Sequence, residues 1–323
     1  MHQTASARAP LTMLDWLLVP AIAAPLAVGG LTYEVDKGGL APSSGNETEL
    51  WANAPDASVV VRNRQTGAWT GPLRWTNVMP DSVLVSRGGV GEGTAGRSGD
   101  IAAPLALAGG GTGAWSLRPP RVHGGTVAFV SHVGSGWRGL KDHGTPRFAL
   151  VLGGTPSGAA MNLVRGSGLP TYLLAGIRDD AATTRRRLGQ PWQAFTWQDQ
   201  RFLLLDNRAH KLGRVQLTWL ERQVVATRTS GARRTWVLMQ HPPVIPGGRG
   251  PDGLDDRREA RKVAKLLRGL PGAQLVAGHT GRSARRRWGG LEITLVGPNS
   301  VLSADLARPA AAPVLSGGTE KKR

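Results

Sequence analysis

Cysteine is absent from this 323-residue chain, and acidic residues are few beside the basic ones. Without cysteine the chain has no disulfide framework, no thiolate metal site and no cysteine nucleophile. The 40 basic residues outnumber the 22 acidic ones and leave a formal net charge of +18. Hydrophobic residues make up 40% of the chain, so a packed core is expected and wholesale disorder is excluded.

Lysine is also scarce, because 33 of the 40 basic residues are arginine. Two explanations of the positive charge stay open. One is a surface that binds a polyanion. The other is composition, since a GC-rich genome also produces an excess of arginine, glycine and alanine.

One long uncharged run is present, over residues 16–33. Its 18 residues are just enough to span a bilayer as a helix, which predicts a single-pass anchor with the bulk of the chain extracytoplasmic. A cleaved signal peptide, with Ala21-Ile22-Ala23 as the cleavage site, is the first alternative and predicts a secreted protein. A buried apolar segment of a soluble protein is the second.

The next part of the chain is rich in short strand patterns. Residues 38–50 read as a polar Gly/Ser/Pro linker. Residues 51–121 contain short β-branched runs, broken by Gly, Pro, Asn and Asp, and are predicted to form a small β-rich, sandwich-like module.

From residue 122 to 306 the pattern changes to apolar strands alternating with helices. The runs at 126–133, 148–154 and 171–177 are continuously apolar, as expected of strands buried on both faces. Amphipathic patterns predict helices at 214–227 and 255–268. The pattern predicts an α/β domain of stacked sheets with helices outside, followed by a disordered tail at 307–323.

Several motifs of this region occur in the order found in the calcineurin-like metallophosphoesterases. They are the strand–Asp–Asn run at 201–207, Gln216-x-x-Trp219-Leu220-Glu221, Pro242-Pro243 and Gly278-His279. The region from about 124 to 300 therefore resembles that family. The resemblance implies a metallophosphoesterase-like fold, and a β module placed before it is similar to the arrangement in purple acid phosphatases.

The metal-ligand positions implied by the family mostly carry other residues here. Where members have Asp-x-His after the first strand, this chain has His132 and Gly134. Where members have the Gly-Asp whose carboxylate bridges two metals, it has Gly153 followed by Gly154.

The third family motif, Gly-Asn-His-Asp, is altered at its two central positions. Ile177 replaces the metal-binding amide, and Arg178 replaces the histidine that protonates the leaving group. Asp179 is retained.

The fourth and fifth motifs keep one imidazole of the usual set at its position. Gln240 stands at the usual ligand when the prolines are aligned, although a shift of one residue would bring His241 to the metal. His279 is retained in the last motif, whereas Gly281 replaces its second histidine.

Without a bridging carboxylate, two divalent cations would repel each other without compensation, so a dinuclear site is not expected. One divalent ion (Zn, Mn or Fe) bound by His132, His241 and His279 is an open alternative. The competing interpretation is that these histidines are hydrogen-bonded residues of a former cleft, with no cofactor.

Arginines make up the remaining candidate site residues, for an anionic ligand, a protein partner or nucleic acid. A solvated basic face is the alternative. The candidates are Arg178, Arg185, Arg186, Arg187, Arg282, Arg285, Arg286 and Arg287.

The sequence thus predicts a metallophosphoesterase-like protein that has lost dinuclear catalysis and serves in binding or scaffolding at the membrane. A phosphohydrolase with a single metal and a polyanion or nucleic-acid binder are the two alternatives.

Overall fold

The described residues of this computed structural model fall into two parts, a β sandwich and an α/β domain. The structure describes residues 26–28, 30–41, 49–87, 93–96, 99–122, 124–133, 137, 140, 144–154, 158–243, 253–278, 281, 283–298, 300–307 and 314–316.

The first part is a sandwich of two sheets, called here the sandwich module. One sheet has the order β1-β2-β5-β10-β7-β8 and the other the order β3-β4-β6-β9. The strands are β1 (Leu26–Val28), β2 (Leu31–Asp36), β3 (Gly38–Leu40), β4 (Glu49–Ala52), β5 (Ser58–Asn63), β6 (Trp69–Thr76), β7 (Val83–Arg87), β8 (Gly93–Thr94), β9 (Ile101–Leu107) and β10 (Thr112–Arg118).

Alternation of buried and exposed residues explains these strands. In β9 every second residue from Ile101 to Leu107 is buried and the residues between are exposed, as in a strand with one face on a core. The buried side chains of both sheets, among them Trp75 and Trp115, form one hydrophobic cluster. The small β-rich module predicted for this region is therefore a sandwich.

The sandwich begins earlier than the sequence suggested. Leu31 and Tyr33 are buried in its core, and β1 and β2 pair in register. A membrane-spanning helix over 16–33 is thus wrong for residues 26–28 and 31–33, because the backbone groups there are paired within a sheet; residues 16–25 and 29 lie outside the described residues. The linker expected at 38–50 is wrong at both ends, since β3 and the start of β4 occupy them.

No helix in the described part of the chain is long and apolar enough to cross a membrane.

The second part, the α/β domain, supplies the remaining elements. The strands are β11 (Thr126–Val130), β12 (Phe148–Gly154), β13 (Thr171–Ala175), β14 (Gln193–Trp197), β15 (Gln200–Leu205), β16 (Arg234–Met239), β17 (Ala273–Ala277), β18 (Ala284–Trp288), β19 (Leu291–Leu295), β20 (Val301–Asp305) and β21 (Val314–Ser316). The helices are α1 (Gly158–Ser167), α2 (Ala181–Leu188), α3 (Gly213–Thr229) and α4 (Arg257–Arg268).

Two mixed sheets make up this domain. Their orders are β13-β12-β11-β20-β21 and β14-β15-β16-β17-β19-β18. Strands β11, β12 and β13 are parallel in the first, and β15, β16, β17 and β19 are parallel in the second. The stacked-sheet α/β architecture expected from the sequence is present.

The two sheets pack face to face, with helices on the outside of each. Phe129, Phe148 and Trp236 belong to the aromatic cluster between the sheets. Helices α3 and α4 cover the outer face of the second sheet. Met161 and Val164 of α1 and Leu188 of α2 pack on the outer face of the first. The predicted helix at 255–268 corresponds to α4, which begins after the N-cap Asp256.

The sandwich module closes the open edge of the first sheet. Strand β13 is the edge strand there, and its backbone pairs with two side-chain amides of the module. Asn53 donates to the carbonyl of Leu173 at 3.0 Å and accepts from its N–H at 2.7 Å. Asn77 does the same at Thr171, at 2.7 and 2.8 Å. The two amides therefore take the place of a neighbouring strand.

Candidate functional site

Loops at the carboxyl ends of the parallel strands of both sheets meet in one region, the strand-end site. Ser131, after β11, donates from its hydroxyl to the carbonyl of Gly297, after β19, at 2.9 Å. Gly278, after β17, donates to the carbonyl of Met239 in β16 at 3.3 Å. Ligand sites in α/β folds form at such strand ends, so the sequence-predicted residues are assessed here.

The end of β12 lies against the end of β16. A β-bulge falls between Val151 and Gly154, where the register with β13 shifts. A Cβ atom on Gly153 would lie 3.2 Å from Nε2 of Gln240, whose side chain is 2% exposed. The space beside the place implied for a bridging carboxylate therefore contains a neutral, buried carboxamide.

The turn after β13 uses its carboxylate internally. Oδ2 of Asp179 accepts the N–H of Gly176 at 2.6 Å, and the N–H of Asp179 donates to the Gly176 carbonyl at 3.0 Å. Ile177 is 46% exposed, and Arg178 is exposed beside it. The turn thus presents an apolar and a cationic side chain to solvent while its acid holds the backbone.

The loop after β15 contains residues to which sequence reasoning gave no role. Nη2 of Arg208 lies 3.3 Å from Oδ2 of Asp206, and its Nη1 donates to the Asp179 carbonyl at 3.1 Å and to Thr184 Oγ1 at 2.8 Å. Burial raises the pKa of Asp206, and the charge of Arg208 partly offsets this rise. Arg208 therefore connects the loop after β15, in the second sheet, to the turn after β13, in the first sheet.

Asn207 fixes the backbone of the residues that carry the fourth family motif. Its Oδ1 accepts the N–H groups of Gln240 at 2.9 Å and His241 at 3.2 Å, and its Nδ2 donates to the His241 carbonyl at 2.6 Å. Asn207 is 1% exposed. In the sequence, the feature that could have pointed to Asp206 and Asn207 is their position directly after the apolar run of β15.

The candidate metal histidines lie in different surroundings. The His241 ring is fully buried and stacks on His210 with centroids 3.9 Å apart. His210 Nδ1 lies 2.9 Å from the Gly253 carbonyl. His132 Nδ1 lies 3.2 Å from the Ser131 hydroxyl. His279, like Gly134 and Arg282, lies outside the described residues.

The donor set does not fit a metal pair. Within the described residues no group of three His, Cys, Asp or Glu side chains is arranged to hold a metal ion. The residues at the former ligand positions are neutral or are glycines such as Gly154 and Gly281, and Asp179 is bonded to its own turn. Divalent cations require anionic oxygen or imidazole donors that converge, and the described residues at these positions do not bring three such donors together.

The arginine clusters do not form one surface. Arg185, Arg186 and Arg187 are on α2, which connects β13 and β14 at one edge of the two sheets. Arg285, Arg286 and Arg287 are exposed on β18, the strand at the opposite edge. The strand order therefore separates the two clusters, and Arg178 lies on the side of the first.

Comparison with known proteins gives structural matches only. No protein-family model matches the chain, and no curated protein matches it. A solved structure of GAP50, the anchor in the inner membrane complex of Plasmodium, has 13% identity and a TM-score of 0.47, over 60% of this chain and 84% of that one. A purple acid phosphatase from yellow lupin has 9% identity and a TM-score of 0.47, over 84% of this chain and 70% of that one.

A third match is a dimetal phosphatase from Danio rerio. It has 10% identity and a TM-score of 0.44, over 59% of this chain and 98% of that one. The two phosphatases have metallophosphoesterase-type folds, and their similarity to this chain is low. The architecture of this chain rests on the strand orders and contacts described above.

Proposed function

We propose that this chain is a metallophosphoesterase-like protein without dinuclear catalysis, and that it acts by binding a partner at the strand-end site. The observation that carries the proposal is the buried carboxamide of Gln240 packed against Gly153. A two-metal mechanism needs a shared anionic ligand to hold the cations and lower the pKa of the attacking water, and the position that the resemblance implies for it is the adjacent Gly154, which has no side chain. The carboxamide of Gln240 beside it carries no charge and does not replace that ligand.

The surroundings of the other polar groups support the same conclusion. Asp179 and Asn207 are engaged with backbone groups, and His241 lies in a buried ring stack. Groups held in this way stabilise loops. The strand-end site is thus preorganised as a rigid surface rather than as an open coordination sphere.

Ile177 and Arg178 are the side chains that this surface offers to a partner. An exposed aliphatic residue beside an arginine suits a protein contact, because arginine is enriched and charged residues other than arginine are depleted at interface centres. Strands β1 and β2 occupy Leu26–Val28 and Leu31–Asp36, so the proposal includes no membrane-spanning helix there.

The test combines metal analysis with activity on the full chain. Purified protein is exposed to manganese, iron and zinc, desalted, analysed for bound metal and assayed against a phosphomonoester and a phosphodiester. We expect no stoichiometric metal and no turnover. One tightly bound metal with turnover that disappears in His279→Ala would overturn the proposal and establish a mononuclear hydrolase.

A further inference from the structure

Helix α4 carries its cations and its buried apolar residues on different sides. Its buried side chains are Ala260, Val263, Ala264 and Leu267. At 100° per residue these four lie within an arc of about 100°, and the helix's six cations lie within a different arc of about 140°. The six exposed cations are Arg257, Arg258, Arg261, Lys262, Lys265 and Arg268.

Few acidic groups contact this cationic face. Glu259, the acidic residue within α4, lies outside the cationic arc and accepts the N–H of Leu212 at 2.6 Å. Among the ion pairs of the described residues, α4 contributes Lys262, which lies 2.8 Å from Glu221 of α3. The other five cations form no ion pair with a described residue, although Arg261 and Arg268 each donate from Nε to a carbonyl of the helix itself at 3.3 Å.

Two further arginines extend the face. Arg228, at the end of α3, donates from Nε to the carbonyl of Gly269, which caps α4, at 2.9 Å. Arg286 of β18 pairs opposite Ile293, whose side chain belongs to the core beneath α3 and α4. Because side chains alternate along a strand, Arg286 shares the α4 side of the sheet, whereas Arg285 and Arg287 point to the other side.

We infer that this surface, called the α4 ridge and made of the α4 cations with Arg228 and Arg286, binds the phosphodiester backbone of a nucleic-acid duplex without reading its sequence. Arg257, Arg261 and Arg268 lie within about 40° of one another around the helix and span about 16 Å along it. Such a row matches a linear polyanion. Guanidinium groups bind phosphate oxygens in a bidentate manner. The ridge contains eight arginines and lysines, and five of them would be enough to make several phosphate contacts.

A duplex fits this surface better than a membrane does. Membrane-surface helices insert an apolar face into the lipid, and the apolar face of α4 is buried in the protein core. Single-stranded nucleic acid is bound mainly by stacking on aromatic rings, and the exposed large hydrophobic residues of the described chain are Val, Leu and Ile. The ridge therefore offers phosphate contacts alone.

The experiment measures binding of the full chain to a fluorescein-labelled duplex of mixed sequence by fluorescence anisotropy, across a salt series. Four phosphate contacts predict a slope of about −3.6 in log K against log salt, and hence a loss of about 10²-fold in affinity between about 50 and 200 mM salt. The variant Arg261→Glu/Lys265→Glu should weaken binding at least tenfold and make the slope shallower by about 2.

A charge-matched control separates the ridge from net charge. Arg64 and Arg118 are exposed on the sandwich module, so Arg64→Glu/Arg118→Glu changes the net charge equally at a remote place. Binding retained by this control and lost by the ridge variant supports the inference. An equal loss in both, or no duplex binding at all, overturns it.

Two further measurements cover the outcomes that remain. If the charge-reversal variant does not fold, the neutral variant Arg261→Gln/Lys265→Gln replaces it, once its melting temperature has been shown to equal that of the parent protein. Vesicles of phosphatidylserine and phosphatidylcholine are the lipid probe, and vesicle binding that exceeds duplex binding would overturn the choice of nucleic acid. The inference does not depend on the proposed function, because the ridge and the strand-end site share no residue.

Discussion

The carboxyl group of Asp206 is buried on folding and lies beside the guanidinium group of Arg208. Burial raises its pKa, and the cation of Arg208 opposes the rise without cancelling it. A buried acid of this kind favours its protonated form in the folded protein more than in the unfolded chain. The residue therefore makes stability depend on pH in a defined direction.

The substitution Asp206→Asn tests that direction. Below the unfolded-state pKa both states hold the proton, so the carboxyl adds no pH dependence there. As pH rises from that value to the raised folded-state pKa, the unfolded chain ionises first, and the folded protein loses stability relative to it. We expect the difference in unfolding free energy, variant minus parent, to increase over this window and then to stay constant.

Urea denaturation at a series of pH values measures this difference. Asp199→Asn, which removes a more exposed carboxylate from a pair with Arg233, is the control for general charge effects. A difference that stays flat, or that falls with rising pH, would contradict the assignment to Asp206.

The sequence names residues at the strand ends, but it does not give the contacts between them. Gln240 stands at a ligand position implied by the resemblance and Gly153 directly before another, yet their packing against each other depends on two strands from different sheets. The roles of Asn207 and Arg208 were missed, because both contact residues more than 20 positions away. Local patterns carry no information on such pairs.

At the scale of elements, the edge strand β13 is the point at which the two parts of the chain depend on each other. Its carbonyl and N–H groups at residues 171 and 173 are satisfied by Asn77 and Asn53. The Asn53 carbonyl in turn accepts from Gln193 of β14 at 2.6 Å. An uncovered edge strand is a template for pairing with other chains, so these amides also protect against aggregation.

The variant Asn53→Ala should lower the free energy of unfolding by about 1–3 kcal/mol, because it leaves a buried N–H and a buried carbonyl of Leu173 without partners. Hydrogen exchange should become faster at the Leu173 amide. Asn63→Ala is the matched control, since Asn63 is also a buried amide but bonds within the sandwich module, to Gly67 and Ala108.

In the control, we expect a comparable loss of stability with slow exchange at Leu173 retained. Fast exchange at Leu173 in both variants, or in neither, would contradict a specific role for Asn53 at the β13 edge.

The strands and long helices were the part of the architecture that the sequence predicted well. The apolar run at 148–154 coincides with β12, and the amphipathic pattern at 214–227 corresponds to α3. The start of the sandwich was predicted poorly. Leu31, Tyr33 and Val35 alternate with partly buried residues as in a strand, but the uncharged run in which they begin has the composition of a membrane segment.

At the scale of the whole molecule, the sandwich module and the α/β domain share a core as well as an edge. Trp51 of β4 is 1% exposed and belongs to one cluster with Leu173 and Leu188 of the domain. Arg165 of α1 forms an ion pair with Glu49 at 2.8 Å. A Cβ on Gly39 would overlap the Arg186 carbonyl, so α2 lies directly on the backbone of β3.

This shared interface predicts that the two parts unfold together. We expect a single transition in differential scanning calorimetry of the full chain, with equal calorimetric and van't Hoff enthalpies. Trp51→Ala should lower the melting temperature of that one transition by removing about 3–5 kcal/mol of packing. Two separate transitions in the parent protein would contradict a shared core.

The sequence by itself determined the order of the long apolar strands and of helices α3 and α4, and the excess of arginine, because each follows from residue type and local periodicity. The residues at the implied ligand positions came from the family resemblance. Tertiary structure alone decided that Gln240 lies against Gly153, that the arginine clusters occupy opposite edges, and that two asparagines complete the β13 edge. These features arise when strands distant in the sequence stack and pair, and the free energy of such contacts depends on positions in space rather than on neighbours along the chain.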